Sequence, residues 1–326
     1  MNEKVSSTLK SSETEDWLDY HVVRPFSYLW ACLFAKMDIH PNTVTIWSMI
    51  IGAGSCLLFA HGCYYYEGME GLVYNLIAVA LLCFADVLDC TDGQLARMTG
   101  KKSPLGRILD GAAGFVWFVP IYLGLVYRFY LHHDLEFGWL GIENTPENTM
   151  IATGIILVLS LISGFVGLSG QQRLADYYIQ IHLFFLKGEK GSELDNSVRQ
   201  QEIYNQMPWK NNLIYKLFQK SYVGYTQKQE SATPEFQKMM KLMKEKYGTV
   251  DQMPETLRRE FHNQSLSLIK INGLLTFNFR TAWFFLFCLL DVPVMNFLFE
   301  IICMSLLAWY VNHRYEMLSR RIAQKM

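Results

Sequence analysis

Residues 43–61, 71–88, 110–131 and 150–170 are four runs in which Asp, Glu, Lys and Arg almost vanish; Asp86, Asp110 and Arg128 are the exceptions. A helix crossing the bilayer core needs about 20 mostly apolar residues. Inside lipid every backbone polar group must be paired within the protein, so such runs read as membrane helices. Residues 271–290 and 293–312 add two more. The expected fold is an all-α integral membrane protein with six transmembrane helices. Hydrophobic residues make up 51% of the 326-residue chain, consistent with this class. The net charge of −1 gives no electrostatic case for a nucleic-acid partner. The seven cysteines form no C-x-x-C pair and mostly lie in apolar runs, so they read as small hydrophobes.

Loop charges orient the spans. Segments 62–70 and 132–149 hold Glu67, Glu70, Asp134, Glu136, Glu143 and Glu147, with Arg128 the nearest cation. Almost all Lys and Arg fall in the N-terminal arm, the 97–107 loop, the 171–270 stretch and the C-terminal tail. By the positive-inside rule both termini are expected in the cytoplasm.

Between the second and third spans lies DCTDGQLARMTGKKSPLGRILD, residues 89–110. Asp89 and Asp92 are three apart and share a helix face; Asp110 begins the next span. Carboxylates at the end of a membrane helix are costly and mark function by default. Three of them suit a hard divalent cation, which takes oxygen ligands from carboxylates and substrate phosphates. Gly93 and Gly106 leave room for a ligand, and Arg97 offers a planar cationic fork for phosphate. Asp86, a further acid three residues before Asp89, continues this face.

These residues resemble the signature of the CDP-alcohol phosphotransferase (CDP-alcohol phosphatidyltransferase) family. Asp89, Asp92, Gly93, Ala96, Arg97, Gly106 and Asp110 match it. The signature's fourth Asp falls on Gly114. The resemblance implies a phospholipid-synthesising transferase that moves a phospho-alcohol or phosphatidyl group from a CDP-linked donor to an acceptor hydroxyl and releases CMP. It implies Mg2+ or Mn2+ on Asp89, Asp92 and Asp110. It further implies substrate contacts by Gly93, Ala96, Arg97 and Gly106, with Ser103 adding a hydroxyl. His40-Pro41-Asn42-Thr43-Val44-Thr45 resembles the family's P-N-x-[IV]-T segment, which assigns Asn42 to the CDP moiety. Asp110 and Asp86 are the catalytic candidates, Asp86 as a replacement for the acid missing at Gly114. Partners are then the CDP-linked donor, an alcohol or lipid acceptor and membrane lipids, and the family often forms homodimers. A catalytically inactive, nucleotide-binding relative is the alternative.

The expected organisation is a disordered tail over 1–15, then an interfacial helix and four spans over 16–170. A helical cytoplasmic insertion covers 171–270, and two spans and a basic tail cover 271–326. The interfacial helix rests on Trp17, Tyr20, Phe26, Tyr28 and Trp30 interleaved with charge. Within the insertion, Pro234 and Gly248 bracket a helix whose Phe236, Met239, Met240 and Met243 form a packing stripe. Gly164, Gly167 and Gly170 read as helix-packing positions. Arg280 and Glu300 fall at similar depth on either side of a turn at 291–293, where a buried ion pair is favoured over a phosphate-binding role for Arg280. His132, His133 and Asp134 read as solvated loop residues.

Overall fold

The N-cap at His40, whose ring accepts from the Asn42 amide (3.2 Å), and Pro41 in the first turn start helix α2, Pro41–Ala60. It follows α1, Arg24–Lys36, and precedes α3, Met69–Thr99, and α4, Pro104–Leu131. Ser103 caps α4 by accepting from the Gly106 amide at 2.9 Å. The computed structural model describes residues 11, 13–209 and 212–326. Most of the expected tail at 1–15 lies outside these. Further along come α5, Asp134–Leu140, and α6, Pro146–Gly164. A π-helical segment, Phe165–Gln171, leads to α7, Gln172–Lys187. Next are α8, Ser197–Gln206, α9, Leu213–Ser231, α10, Pro234–Tyr247, and α11, Glu255–Asn272. The chain ends with α12, Phe277–Leu289, α13, Val294–Phe299, a π-helical segment Glu300–Met304, and α14, Ser305–Lys325. Among the described residues there is no strand, so the all-α expectation holds.

Among the described residues, five helical stretches are long and apolar enough to cross a membrane: Pro41–Ala60, Met69–Thr99, Ile108–Leu131, Pro146–Lys187 and Val294–Lys325. The six spans expected from the sequence are therefore not all met. The 271–290 run is divided by a break at Gly273–Leu275, leaving α12 with 13 residues. That is about 20 Å of helix, short of a bilayer core of about 30 Å.

The chain forms two compact units, residues 1–169 with 277–304, and residues 170–276 with 305–326. In the first unit α2, α3 and α4 enclose a core of Phe59, Leu82, Trp117, Phe118, Ile121 and Leu125, joined by Phe284 and Phe297. Trp117 packs where a Cβ on Gly52 would sit, 2.3 Å from its ring, and donates to the Ser48 carbonyl at 3.1 Å. Helix α1 buries Ser27, Ala31 and Phe34. Ser27 donates to the Val87 carbonyl (3.0 Å), which fixes α1 on α3. Its other face leaves Phe26, Leu29 and Leu33 exposed. Exposed apolar side chains and packing on the bundle thus belong to two faces of one helix.

Arg280 and Glu300 form the expected buried pair, 3.0 Å apart and each 1% exposed. Tyr122 donates to Glu300 at 2.6 Å, and Ser163 donates to the same oxygen. A Cβ on Gly167 would lie 2.4 Å from the Arg280 guanidinium, so this glycine makes room for the pair. The far end of the bundle holds a second pair. Arg128 bonds Asp291, which also accepts from the Tyr65 amide at 2.8 Å. Arg128, inside the 110–131 run, is thus a buried partner. The expectation of a solvated His133 needs correction. His133 is buried, and its ring bonds Asn144 (3.1 Å) and Thr149 (3.0 Å) while packing on Phe137. Those neighbours from α5 and α6 exclude the water assumed for a loop residue.

In the second unit the α10 stripe is confirmed as packing, with Phe236, Met239 and Met243 buried. Phe185 of α7 stacks on Phe261 of α11 at 3.9 Å, and Tyr178 stacks on Tyr315 at 4.1 Å.

Candidate functional site

Helix α3 carries Asp86, Asp89, Asp92, Gly93, Ala96 and Arg97 toward its C-terminal end, which stops at Gly100 with φ +71°. Asp92 is buried at 5% exposure, and Thr45 of α2 donates a short hydrogen bond to its carboxylate. Asp89 keeps one carboxylate oxygen enclosed with no hydrogen-bond partner. The charges acting on Asp89 come first from Asp110 of α4, then from Asp92 and Asp86. Asp92 likewise faces Asp110 and Arg97. The fold therefore gathers Asp89, Asp92 and Asp110 from two helices at one end of the bundle. Like charges repel, and among the described residues their oxygens do not all come within 4.8 Å of one another. Asp110 is exposed, on the open side of the group.

Arg97 folds back along its own helix over Gly93, where a Cβ would lie 3.4 Å from the guanidinium. Its Nε is enclosed without a partner. A buried donor left unpaired is costly, so this guanidinium is set for an oxygen-rich ligand. Ala96, half-buried one residue earlier, adds no bulk there.

Asn42, Ser103 and Gly106 meet beside this group. Ser103 donates to the Asn42 side-chain oxygen at 3.2 Å. A Cβ on Gly106 would stand 2.9 Å from that oxygen and 3.1 Å from the Ser103 hydroxyl. The loops leading into α2 and α4 are tied by Asp38 and Lys101, 2.5 Å apart. The Lys101 hydrogen bond, then its charge, holds the Asp38 carboxyl below the usual carboxylate range. Asp38 sits at φ +54°, a left-handed conformation that Asp tolerates better than most residues.

Asp86, one turn earlier on α3, is acted on by Asp19 and Arg24, from the N-terminal segment and α1, and itself acts on Asp89. Arg24 bonds Glu15 at 3.1 Å, and its carbonyl accepts from Gln94 at 3.2 Å. At Gly114, one turn beyond Asp110, a Cβ would meet nothing within 4 Å. Sequence reasoning passed over Thr45, Arg24 and the Asp38–Lys101 tie. Thr45 had a signal, since it closes the P-N-x-[IV]-T segment.

The donor set is all oxygen, and the enclosed, unpaired Asp89 oxygen needs a cationic or hydrogen-bonding partner. These residues fit a hard divalent cation held by Asp89, Asp92 and Asp110.

Residues 38–167 match the family model described as CDP-alcohol phosphatidyltransferase. The chain is 31% identical over 107 residues to Cholinephosphotransferase 1 of Xenopus laevis. That match spans 31% of this chain and 26% of the relative. No solved structure gives a significant match. Residues 38–167 are thus a CDP-alcohol phosphatidyltransferase domain, and its apolar helices make the chain a multi-pass membrane protein.

Proposed function

We propose, from the CDP-alcohol phosphatidyltransferase domain at residues 38–167, that the chain is a transferase of phospholipid synthesis. It moves a phospho-alcohol or phosphatidyl group from a CDP-linked donor to an acceptor hydroxyl and releases CMP. The observation that carries this reading is the enclosed, unpartnered oxygen of Asp89 facing Asp92 and Asp110. Asp89, Asp92 and Asp110 would hold Mg2+ or Mn2+. When bound, that ion neutralises charge on the donor pyrophosphate and on the departing CMP.

The protein groups divide the remaining work. Arg97 grips pyrophosphate oxygens through its planar fork. Asn42, steadied by the Ser103 hydroxyl, holds the cytidine end. Thr45 fixes the Asp92 carboxylate. The acceptor oxygen attacks the phosphorus bonded to the alcohol, and the bond from that phosphorus to CMP breaks. The acceptor proton passes to Asp110, the exposed carboxylate, while Asp86 faces Asp19 and Arg24. Positioning and fixed charge supply most of the rate. The site lies at the cytoplasmic face, on the side of the basic loops.

The test is CMP release by purified protein in detergent with Mg2+ or Mn2+. CDP-choline is the first donor, after the name of the Xenopus relative, followed by CDP-ethanolamine and CDP-diacylglycerol. Metal-dependent CMP that disappears in Asp110→Asn is expected, and the productive donor fixes the direction of transfer. Loss of a general base costs roughly 100-fold or more; a loss that large in Asp86→Asn and not in Asp110→Asn would hand the proton to Asp86. CDP binding without CMP release from any donor would overturn the transferase reading in favour of an inactive relative.

A further inference from the structure

In the second unit, helix α9 presents an apolar face that none of that unit's described residues covers. Leu213, Ile214 and Leu217 are 57%, 61% and 50% exposed, and Phe218 and Trp209 join them. Leu213 and Leu217, like Ile214 and Phe218, are four apart and therefore share one side of the helix. The opposite side buries Lys216, Val223, Thr226 and Gln229 against the unit.

Trp209 is held in place. The Lys216 ammonium donates to the Met207 carbonyl at 2.6 Å and lies 4.8 Å from the ring centroids of both Tyr204 and Trp209. Cation–π contact and hydrogen bond together fix an indole whose surface is half open. Charge completes the pattern, because α9 carries three lysines and one glutamate. Lys220 sits at the border of the apolar face and is exposed.

We propose that the first half of α9, with Trp209, lies in the headgroup layer of a bilayer containing anionic lipid. A basic amphipathic helix with an aromatic anchor buries its apolar side about 5–10 Å into that layer. Its lysines gain from anionic headgroups. A second copy fits this face less well. A two-fold contact would bring two patches that carry the same excess of lysine against each other. The chain is anchored in a membrane, so lipid is present at high effective concentration whenever α9 can reach it.

The test uses the full chain in lipid nanodiscs, one copy per disc. The emission of Trp209 is taken as the difference between wild type and Trp209→Phe. Lipids brominated near the headgroup are expected to reduce that component about twofold or more, in keeping with shallow burial. Aqueous iodide should quench it weakly, and the bromolipid effect should grow with the anionic fraction. In Leu213→Asp/Leu217→Asp, Trp209 should become open to iodide. That pair is exposed, and an unchanged melting profile controls for folding. A Trp209 component open to iodide in the wild-type disc would overturn the proposal. So would shielding that appears only when two copies share a disc, which would assign the face to self-association.

Discussion

Thr45 shows how a single hydroxyl can set a carboxylate of the proposed metal site. It bonds Asp92 across 47 positions of sequence, and partners that orient ligands are worth 10–100-fold in affinity or activity as an order of magnitude. Thr45→Val should therefore lower CMP release by about tenfold or more and raise the Mn2+ needed for half-maximal rate. Thr45→Ser should keep both, and a Val variant with unchanged metal dependence would remove Thr45 from the site. Glycines offer a contrast in the same unit. A Cβ at Gly114 meets open space, while one at Gly167 meets the Arg280 guanidinium at 2.4 Å. Gly114→Ala should leave the melting temperature nearly unchanged. Gly167→Ala should cost about 1–3 kcal/mol, as overpacking of buried sites does, read by thermal unfolding in detergent. At this scale the acids at 89, 92 and 110 were legible, because their spacing is a pattern. Thr45 closes the P-N-x-[IV]-T segment, but its partner lies 47 positions away, so the segment alone does not point to Asp92.

At the scale of elements, the two buried ion pairs were unequally visible. Arg280 and Glu300 stand on either side of a turn, so hairpin register alone brings them level. Arg128 and Asp291 lie 163 positions apart with no hairpin between them, and the sequence placed Arg128 near a loop. Removing one partner of a buried pair leaves an uncompensated charge and costs about 3–5 kcal/mol. Arg280→Met should destabilise the bundle by that order, and Arg280→Met/Glu300→Leu should recover much of it. A double variant as unstable as the single would show that the pair itself holds these helices. The Asp38–Lys101 tie makes a pH prediction. Its depressed carboxyl means that the tie is fully present above the unfolded Asp value of about 3.9. It is lost as pH falls through the lower folded value. Amides at 37–40 and 100–103 should therefore show lower protection factors, after correction for the slower intrinsic exchange in acid, at pH 3 than at pH 5, and lower ones in high salt, which screens exposed pairs. Equal protection at both pH values would leave the tie without a structural role.

For the whole molecule, the apolar runs announced a membrane bundle, and the pattern from Asp89 to Asp110 announced the helix ends at which three aspartates gather. The break inside the 271–290 run was hidden, because Gly273–Leu275 interrupts the helix without interrupting the hydropathy. Short as α12 is, its course within the first unit is defined. Phe277 packs on Trp117 and Phe118 in the middle of α4. Asp291, just past the end of α12, meets Arg128 and the Tyr65 amide at the far end. The turn therefore shares its end of the bundle with the 62–70 loop, and α13 starts back from there. A hairpin of this kind returns the chain to the side on which it entered, whether or not α12 crosses the full core. Both termini should then lie on the side of the 97–107 loop, which loop charge makes the cytoplasmic one. Lys102→Cys and Leu140→Cys, on a background lacking the exposed Cys83 and Cys303, provide the check. A membrane-impermeant maleimide added outside sealed cells should label only Leu140→Cys, and Lys102→Cys should react only after lysis. Labelling of Lys102→Cys from outside would invert the topology and move the aspartate group away from the cytoplasm. Labelling of both from outside would break the alternation of α3 and α4 across the bilayer.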